Sequence, residues 1–224
     1  MKEAFYLVHH DVEPSLVAEW NAFHATEHVP RVVKSAGFHS AQRYRHLAAD
    51  GTPADPPRFT TVYRAAGLGQ IRAYLEGGEV GKMRAHHDAF VDGRRIHLTR
   101  EIFEENYSVD GEGKPVGDAA SLPTGRAAFV VRARVDTEAV GPWSAWYDRE
   151  HMPAVARTGF LRAGRYKVVE DAAGQPRFAM IYEAPSVEAV VAFRSGAGPA
   201  FGKEHEKAFG SHVTIDRLVW SLAN

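Results

Sequence analysis

The stretch WNAFHATEHVP at residues 20–30 returns as WSAWYDREHMP at residues 143–153, and this recurrence decides how the chain is read. Trp20, Glu27, His28, Pro30 and Val32 recur 123 positions later as Trp143, Glu150, His151, Pro153 and Val155. One residue is then lost, and Gly37, Phe38, Ala41, Arg43 and Tyr44 return as Gly159, Phe160, Ala163, Arg165 and Tyr166. After a loop shortened by three, Pro57, Phe59, Tyr63, His86 and Phe90 return as Pro176, Phe178, Tyr182, His205 and Phe209. Worked outward, the segment from Phe5 to about Phe103 reappears from Phe129 to the C-terminus. Gaps that fall only between predicted elements are what two copies of one folding unit leave behind.

The bulk numbers fit that reading. A chain of 224 residues accommodates two domains of about 100 residues. Hydrophobic content of 45% and charged content of 25% are those of a folded globular protein. A net charge of -1, with both signs interspersed, offers no electrostatic footprint for nucleic acid or an anionic membrane, so a small molecule is the expected partner. With no cysteine there is no disulfide framework, no thiolate nucleophile and no cysteine-based metal site. The N-terminal MKEAFYLVHHDVE reaches charged residues before any apolar run suited to a secretory signal, and a cytoplasmic location is expected.

Alternation over Glu3–Val12 predicts a strand, and Pro14 suits the first turn of a following helix. Val17, Trp20, Phe23, His24, Glu27 and His28 share one helical face, with Pro30 expected to kink or break the helix just after His28. A short helix then runs to a stop at Gly37. Strands over Ala41–Leu47 and Phe59–Ala65, a helical region over Leu68–Phe90 broken by Gly77, Gly78 and Gly81, and a strand over Ile96–Phe103 complete a β-α-β-β-α-β unit. The second copy repeats it with strands at Phe129–Val135, Gly164–Glu170, Phe178–Ala184 and Val213–Trp220. The units are expected at residues 1–107 and 127–224, with a Gly-, Pro- and Asp-rich linker at 108–126. A four-stranded sheet with both helices on one face leaves the other face bare. Packing the two sheets face to face would give an eight-stranded α+β barrel with the helices outside.

The element order, the Trp-x(6)-Glu-His-x-Pro run and the Gly-Phe and Arg-Tyr pairs resemble the dimeric α/β-barrel superfamily, and within it the EthD-like group. That resemblance implies two tandem ferredoxin-like units joined as a pseudo-twofold barrel. It also implies a scaffold shared by cofactor-free monooxygenases, polyketide cyclases, lactone isomerases and haem enzymes. Many such relatives are homodimers of one unit, whereas this chain carries both, and further homo-oligomerisation is left open.

Nine of the twelve histidines lie in the first copy, so a pocket there is the richer candidate. His28, beside Glu27 at an expected helix end, would be favoured as imidazolium by the terminal carbonyls and the carboxylate. The plain structural alternative is that Glu-His-x-Pro is a helix-stop device. His86 recurs as His205 as His28 does as His151, so each His pair is expected to face one cleft. The expected catalytic set is His28, His86, Tyr63 and Glu27, with His24, Trp20, Arg43, Tyr44 and His9 binding substrate and His151, His205 and Tyr182 as second-copy equivalents. Strand Tyr and Arg, and helix-face Trp, also read as ordinary packing residues. Of His9 and His10 at most one faces the helices, Ala133 and Arg134 taking their places in the second copy. His24-Ala25-Thr26-Glu27-His28 matches the His-x-x-Glu-His zinc pattern. The second copy reads Tyr147 in place of the first ligand, so no metal is assigned, and a weaker site using His24, His28 and His86 stays open.

These residues favour a cofactor-independent enzyme using His and Tyr for general acid–base chemistry on a small aromatic or cyclic carbonyl compound, as a lyase, isomerase or cyclase. Its alternatives are a cofactor-free monooxygenase, and a haem-binding or non-catalytic ligand-binding protein. No organic cofactor is expected, and metal and haem are left open.

Overall fold

The structure, a computed structural model, describes residues 3–94, 96–117, 124–169 and 176–223. It is a mixed α+β protein with eight strands in antiparallel pairing, divided into two compact units. The first unit takes the chain to His46, Pro53–Ile102 and the last residues from Leu222; the second takes Leu47–Thr52 and Phe103–Ser221.

The first unit contains β1 (Ala4–Val12), α1 (Val17–Phe23), α2 (Val29–Ala36), β2 (Ser40–Leu47), β3 (Arg58–Ala65), α3 (Leu68–Glu76), α4 (Gly78–Val91) and the start of β4 (Ile96–Asp110). Its sheet order is β4-β1-β3-β2. Tyr6 stands opposite Tyr63, His9 opposite Thr60 and His10 opposite Phe59. The second unit contains the rest of β4, then β5 (Ala127–Val135), α5 (Val140–Trp146), α6 (Met152–Ala156), β6 (Arg162–Val169), β7 (Arg177–Ala184), α7 (Val187–Ser195), α8 (Gly198–Phe209) and β8 (Val213–Leu222). Its order is β8-β5-β7-β6-β4.

Four sequence expectations change. Pro30 does not break the helix: His24–His28 form a π-helical turn that leads into α2, and Pro30 lies in the first turn of α2, where its missing N–H costs least. The second unit repeats the device at Tyr147–His151, before Pro153. Helix α2 stops where expected, at Gly37, whose φ of 65° is the left-handed conformation glycine tolerates. The later helical region breaks at Gly77, whose extended backbone separates α3 from α4, while Gly81 lies inside α4. Strand β4 runs past Phe103 to Asp110, into the expected linker, and Val109 bridges Pro115. Residues 118–123 of that linker, and Glu170 of a predicted strand, lie outside the described residues.

The fourth change matters most for the site. Ala4 pairs with Ala65 and Ala127 with Ala184, so β1 and β5 correspond at 123 residues and Tyr6, not Phe5, is the counterpart of Phe129. His9 and His10 are therefore matched by Arg132 and Ala133, one residue earlier than the apolar pattern suggested. A one-residue shift in a strand exchanges its two faces, which is why the correction bears on the pocket.

The second unit's core gathers Val109, Phe129, Trp143, Tyr147, Phe178, Met180, Val190 and Phe193, with Trp143 fully buried. In the first unit Trp20 packs with Val12 and Phe59. Aromatic rings of this size bury well over 100 Å² each and dominate such cores. Nearly every residue of β1, β3, β5 and β7 is buried, so both faces of these strands are covered.

Candidate functional site

Each unit encloses a space between its helices and its sheet, and equivalent positions line both. In the first unit the lining includes Tyr6, Val8, His10, His24, His28, Val32, Tyr63 and Tyr74, then Val80, Met83, Arg84 and His87 from α4, and Leu98 and Arg100 from β4. In the second it includes Phe129, Val131, Tyr147, His151, Val155, Tyr182 and Phe193, then Pro199, Gly202, Lys203 and Glu206 from α8, and Ile215 and Arg217 from β8. The volumes differ: about 30 Å³ in the first against about 580 Å³ in the second. Only the second falls within the roughly 300–1,000 Å³ of ordinary small-molecule sites.

The substitutions account for the difference. Ala133 replaces the imidazole of His10, Gly202 replaces the side chain of Met83, and Phe193 stands for Tyr74. What both spaces keep is Tyr63/Tyr182, His28/His151 and Arg100/Arg217, with a cation at Arg84/Lys203. The strand position of Arg217 is read from β4 and β8, which place Arg100 and Arg217 fifth from their starts.

Within the first unit, the expected pair meets: His28 Nδ1 lies 3.2 Å from His86 Nδ1, so one ring donates and the other accepts. Glu27 is largely exposed, with its carboxylate 3.9 Å from His86 Nε2. Tyr63 is buried against Tyr6, ring centres 5.9 Å apart, and burial raises its phenol pKa. Trp20 stacks on His24 at 4.2 Å. Arg43 donates to the Asn21 side chain and lies over the Trp20 ring at 4.8 Å, while the Tyr44 hydroxyl donates to Gln42. His9 is on the other face of β1, bonded to Thr60 at 2.7 Å and Glu101 at 2.8 Å, and of the other candidates Tyr44, also opposite Thr60, shares that face. His10 is the one that joins them, packing against Trp20, His24 and His87.

The charge state of His28 is the reverse of the expectation. Burial, then the neighbouring His87 and His86, lower its pKa to about 3, so it is neutral at pH 7. Because the helix continues through His28, no terminal carbonyls are there to favour a cation. His10 is lowered well below the ordinary value by burial first and then by His87, and His24 by burial first and then by His10.

In the second unit the Tyr147 and Tyr182 hydroxyls are 2.8 Å apart, and burial raises both phenols. One donates to the other, which leaves the acceptor's own proton free for a ligand oxygen. Trp143 Nε1 donates to His205 Nε2 at 3.1 Å, fixing the His205 proton on Nδ1. His151 is held near pKa 3 by burial, His205 and Arg217, and His205 near 4 by burial and Arg217. Both are neutral bases at pH 7. His151 Nδ1 is buried with no hydrogen-bond partner among the described residues. Phe129, Phe193 and Phe201 supply apolar walls, and Arg194, Lys203 and Arg217 supply cations. An iron porphyrin would find its free imidazole lone pair at His151, since His205 Nε2 is engaged by Trp143.

Sequence reading missed His10, His87, Tyr147, Arg100 and Arg217. His10 was legible from strand alternation with Tyr6 and Val8, and Tyr147 from its place opposite His24 in the repeat. The two arginines sit in the last strand of each copy, where they are themselves the one identity between β4 and β8.

The fold is shared over the whole chain with solved structures of low identity. A proposed monooxygenase from Fusobacterium nucleatum is 10% identical at a TM-score of 0.62, covering 100% of this chain and 93% of that one. An anthrone oxidase-like protein is 12% identical at 0.62, covering 100% and 92%. A proposed chlorite dismutase is 10% identical at 0.58, covering 100% and 96%. No curated protein matches the sequence. No helix among the described residues is long and apolar enough to cross a membrane. Residues 3–105 and 126–220 match the model of a family described as a domain of unknown function, DUF4286, and the chain belongs to that family.

Proposed function

We propose that the chain is a cofactor-independent enzyme of the EthD-like kind that moves a proton on a small aromatic or cyclic compound bearing a carbonyl or phenolic oxygen. Its two units would be tandem ferredoxin-like copies whose sheets complete one eight-stranded barrel, a reading supported by the burial of both faces of β1, β3, β5 and β7. The observation that carries the functional reading is the contrast between the two enclosed spaces. The second unit has lost the bulk of His10 and Met83 and kept the Tyr, His and Arg, so the second-copy equivalents His151, His205 and Tyr182 are the working set.

The substrate ring lies among Phe129, Phe193 and Phe201, and its oxygen accepts from the Tyr147–Tyr182 pair. His151, kept neutral by burial, takes the proton from the carbon beside the carbonyl. Arg217 and the phenol proton stabilise the negative charge that develops on oxygen, where a low-dielectric surround makes each worth more than in water. A weakly basic imidazole suffices because the forming enolate and imidazolium stabilise each other as an ion pair.

The same deprotonated substrate is what a cofactor-free monooxygenase would offer to dioxygen. The names of the structural neighbours, proposed monooxygenases and an anthrone oxidase-like protein, favour this as the second reading. Incubating the protein with anthrone in deuterated buffer, under argon and then in air, separates them. Deuterium uptake under argon, abolished by His151→Ala, is expected for the acid–base enzyme, and added oxygen consumption in air identifies the monooxygenase. Neither binding nor exchange across a panel of aromatic ketones would remove the proposal. A shifted Soret band with one haemin taken up per chain would replace it by a haem protein.

A further inference from the structure

We infer that His10, His24 and His87 of the first unit form a binding site for a divalent first-row transition metal. Each offers a ring nitrogen, and these atoms lie within 4.8 Å of one another. All three residues are buried, at 1%, 1% and 6% exposure. Both nitrogens of His10, both of His24 and Nε2 of His87 are buried with no hydrogen-bond partner among the described residues. Buried polar atoms ordinarily have partners, so three rings that carry five unpartnered nitrogens and bring one nitrogen each within 4.8 Å of the others call for a ligand that accepts lone pairs.

Several further features fit a cation. His87 Nδ1 lies 3.7 Å from the Asp88 carboxylate, and its Nε2 is the buried nitrogen without a partner among the described residues. The space of about 30 Å³ that the three rings border suits an ion and one further ligand, a water-sized sphere taking roughly 10–15 Å³. Arg84 and Arg100 line the same space and repel a bare dication, so the metal would bind together with hydroxide or another small anion in the fourth position. Three neutral imidazoles with one open position suit zinc, cobalt or nickel rather than magnesium or calcium. The second unit carries Ala133, Tyr147 and Glu206 at the corresponding positions and has exchanged the trio for an open cavity. The metal would hold the first unit's helices to its sheet, since His10 is on β1, His24 in the π turn and His87 on α4.

The test titrates metal-free full-length protein with Co²⁺ and Zn²⁺, reading visible cobalt absorption, stoichiometry after dialysis and the thermal midpoint. One tightly held equivalent and a raised midpoint are expected. His10→Ala, His87→Gln and His24→Tyr, the last carrying the second unit's residue, should each weaken binding at least tenfold. Their folding is checked by circular dichroism in chelator. The exposed group Asp136, Glu138 and His212 also lies at ligand spacing, and His212→Ala should leave binding unchanged. No bound equivalent in the wild type, binding untouched by the His10 and His87 changes, or binding lost with His212→Ala would each overturn the site.

Discussion

At position 202 the second unit has no side chain, where the first has Met83, and this single difference accounts for much of the cavity. A Cβ built on Gly202 would meet nothing closer than an Arg217 nitrogen at 3.6 Å, so a larger residue is tolerated by the backbone and its neighbours. Gly202→Met is therefore expected to lower kcat/KM on the aromatic ketone at least tenfold while leaving the thermal midpoint within about 2 °C of wild type, because the added side chain enters open space and displaces no packed atoms. Steady-state kinetics beside a melting curve check this. The histidines give a second residue-scale expectation. With His151 near 3 and His205 near 4, the acid limb of kcat/KM should fall below pH 5, whereas an ordinary imidazole would place it near 6.5. The residue types at this site were legible in the sequence, because His28/His151, His86/His205 and Tyr63/Tyr182 survive in both copies. Which copy is open was not. Cavity size depends on positions where the copies differ, and a search for recurrence passes over those.

The elements followed from periodicity and turn chemistry, and the departures have physical causes. Pro30 reads in sequence as a breaker because its ring opposes a regular helical bond. The π-helical turn at His24–His28 widens the backbone just before it, so the helix passes through. Within that turn His24 packs on His10 of β1, a contact distant in sequence that no local residue announces. Glycines show the same limit: Gly37, Gly77 and Gly81 look alike in sequence yet end a helix, separate two helices and sit within one. Gly37→Ala, forced to φ 65°, should cost about 1–2 kcal/mol. Gly81→Ala has open space around its Cβ inside α4 and should gain about 0.5–1 kcal/mol. Urea unfolding of the two variants measures the difference in sign.

Across the whole molecule, His10, His24, His28, His87, His151 and His205 all have pKa values lowered mainly by burial. The unfolded chain binds protons at these positions from about pH 6.5 downward, while the folded chain does not until well below that. Unfolding therefore takes up protons in this window, and stability, complete above about pH 7, is lost progressively as the pH falls from 6.5 toward 4. Each fully neutral histidine contributes a loss approaching 1.4 kcal/mol per pH unit, so a fall of several kcal/mol between pH 7 and pH 5 is expected in urea titrations. The recurrence of the Glu-His-x-Pro run is visible in the sequence, and the family model matches two stretches, 3–105 and 126–220. Paired substitutions separate what the two copies do. His151→Ala and Tyr182→Phe should each lower kcat/KM on the aromatic ketone by about 100-fold or more, a typical worth for a general base or an oxyanion donor. His28→Ala and Tyr63→Phe should leave it within about threefold of wild type once folding is verified. Loss of turnover in His28→Ala with His151→Ala fully active would contradict the account.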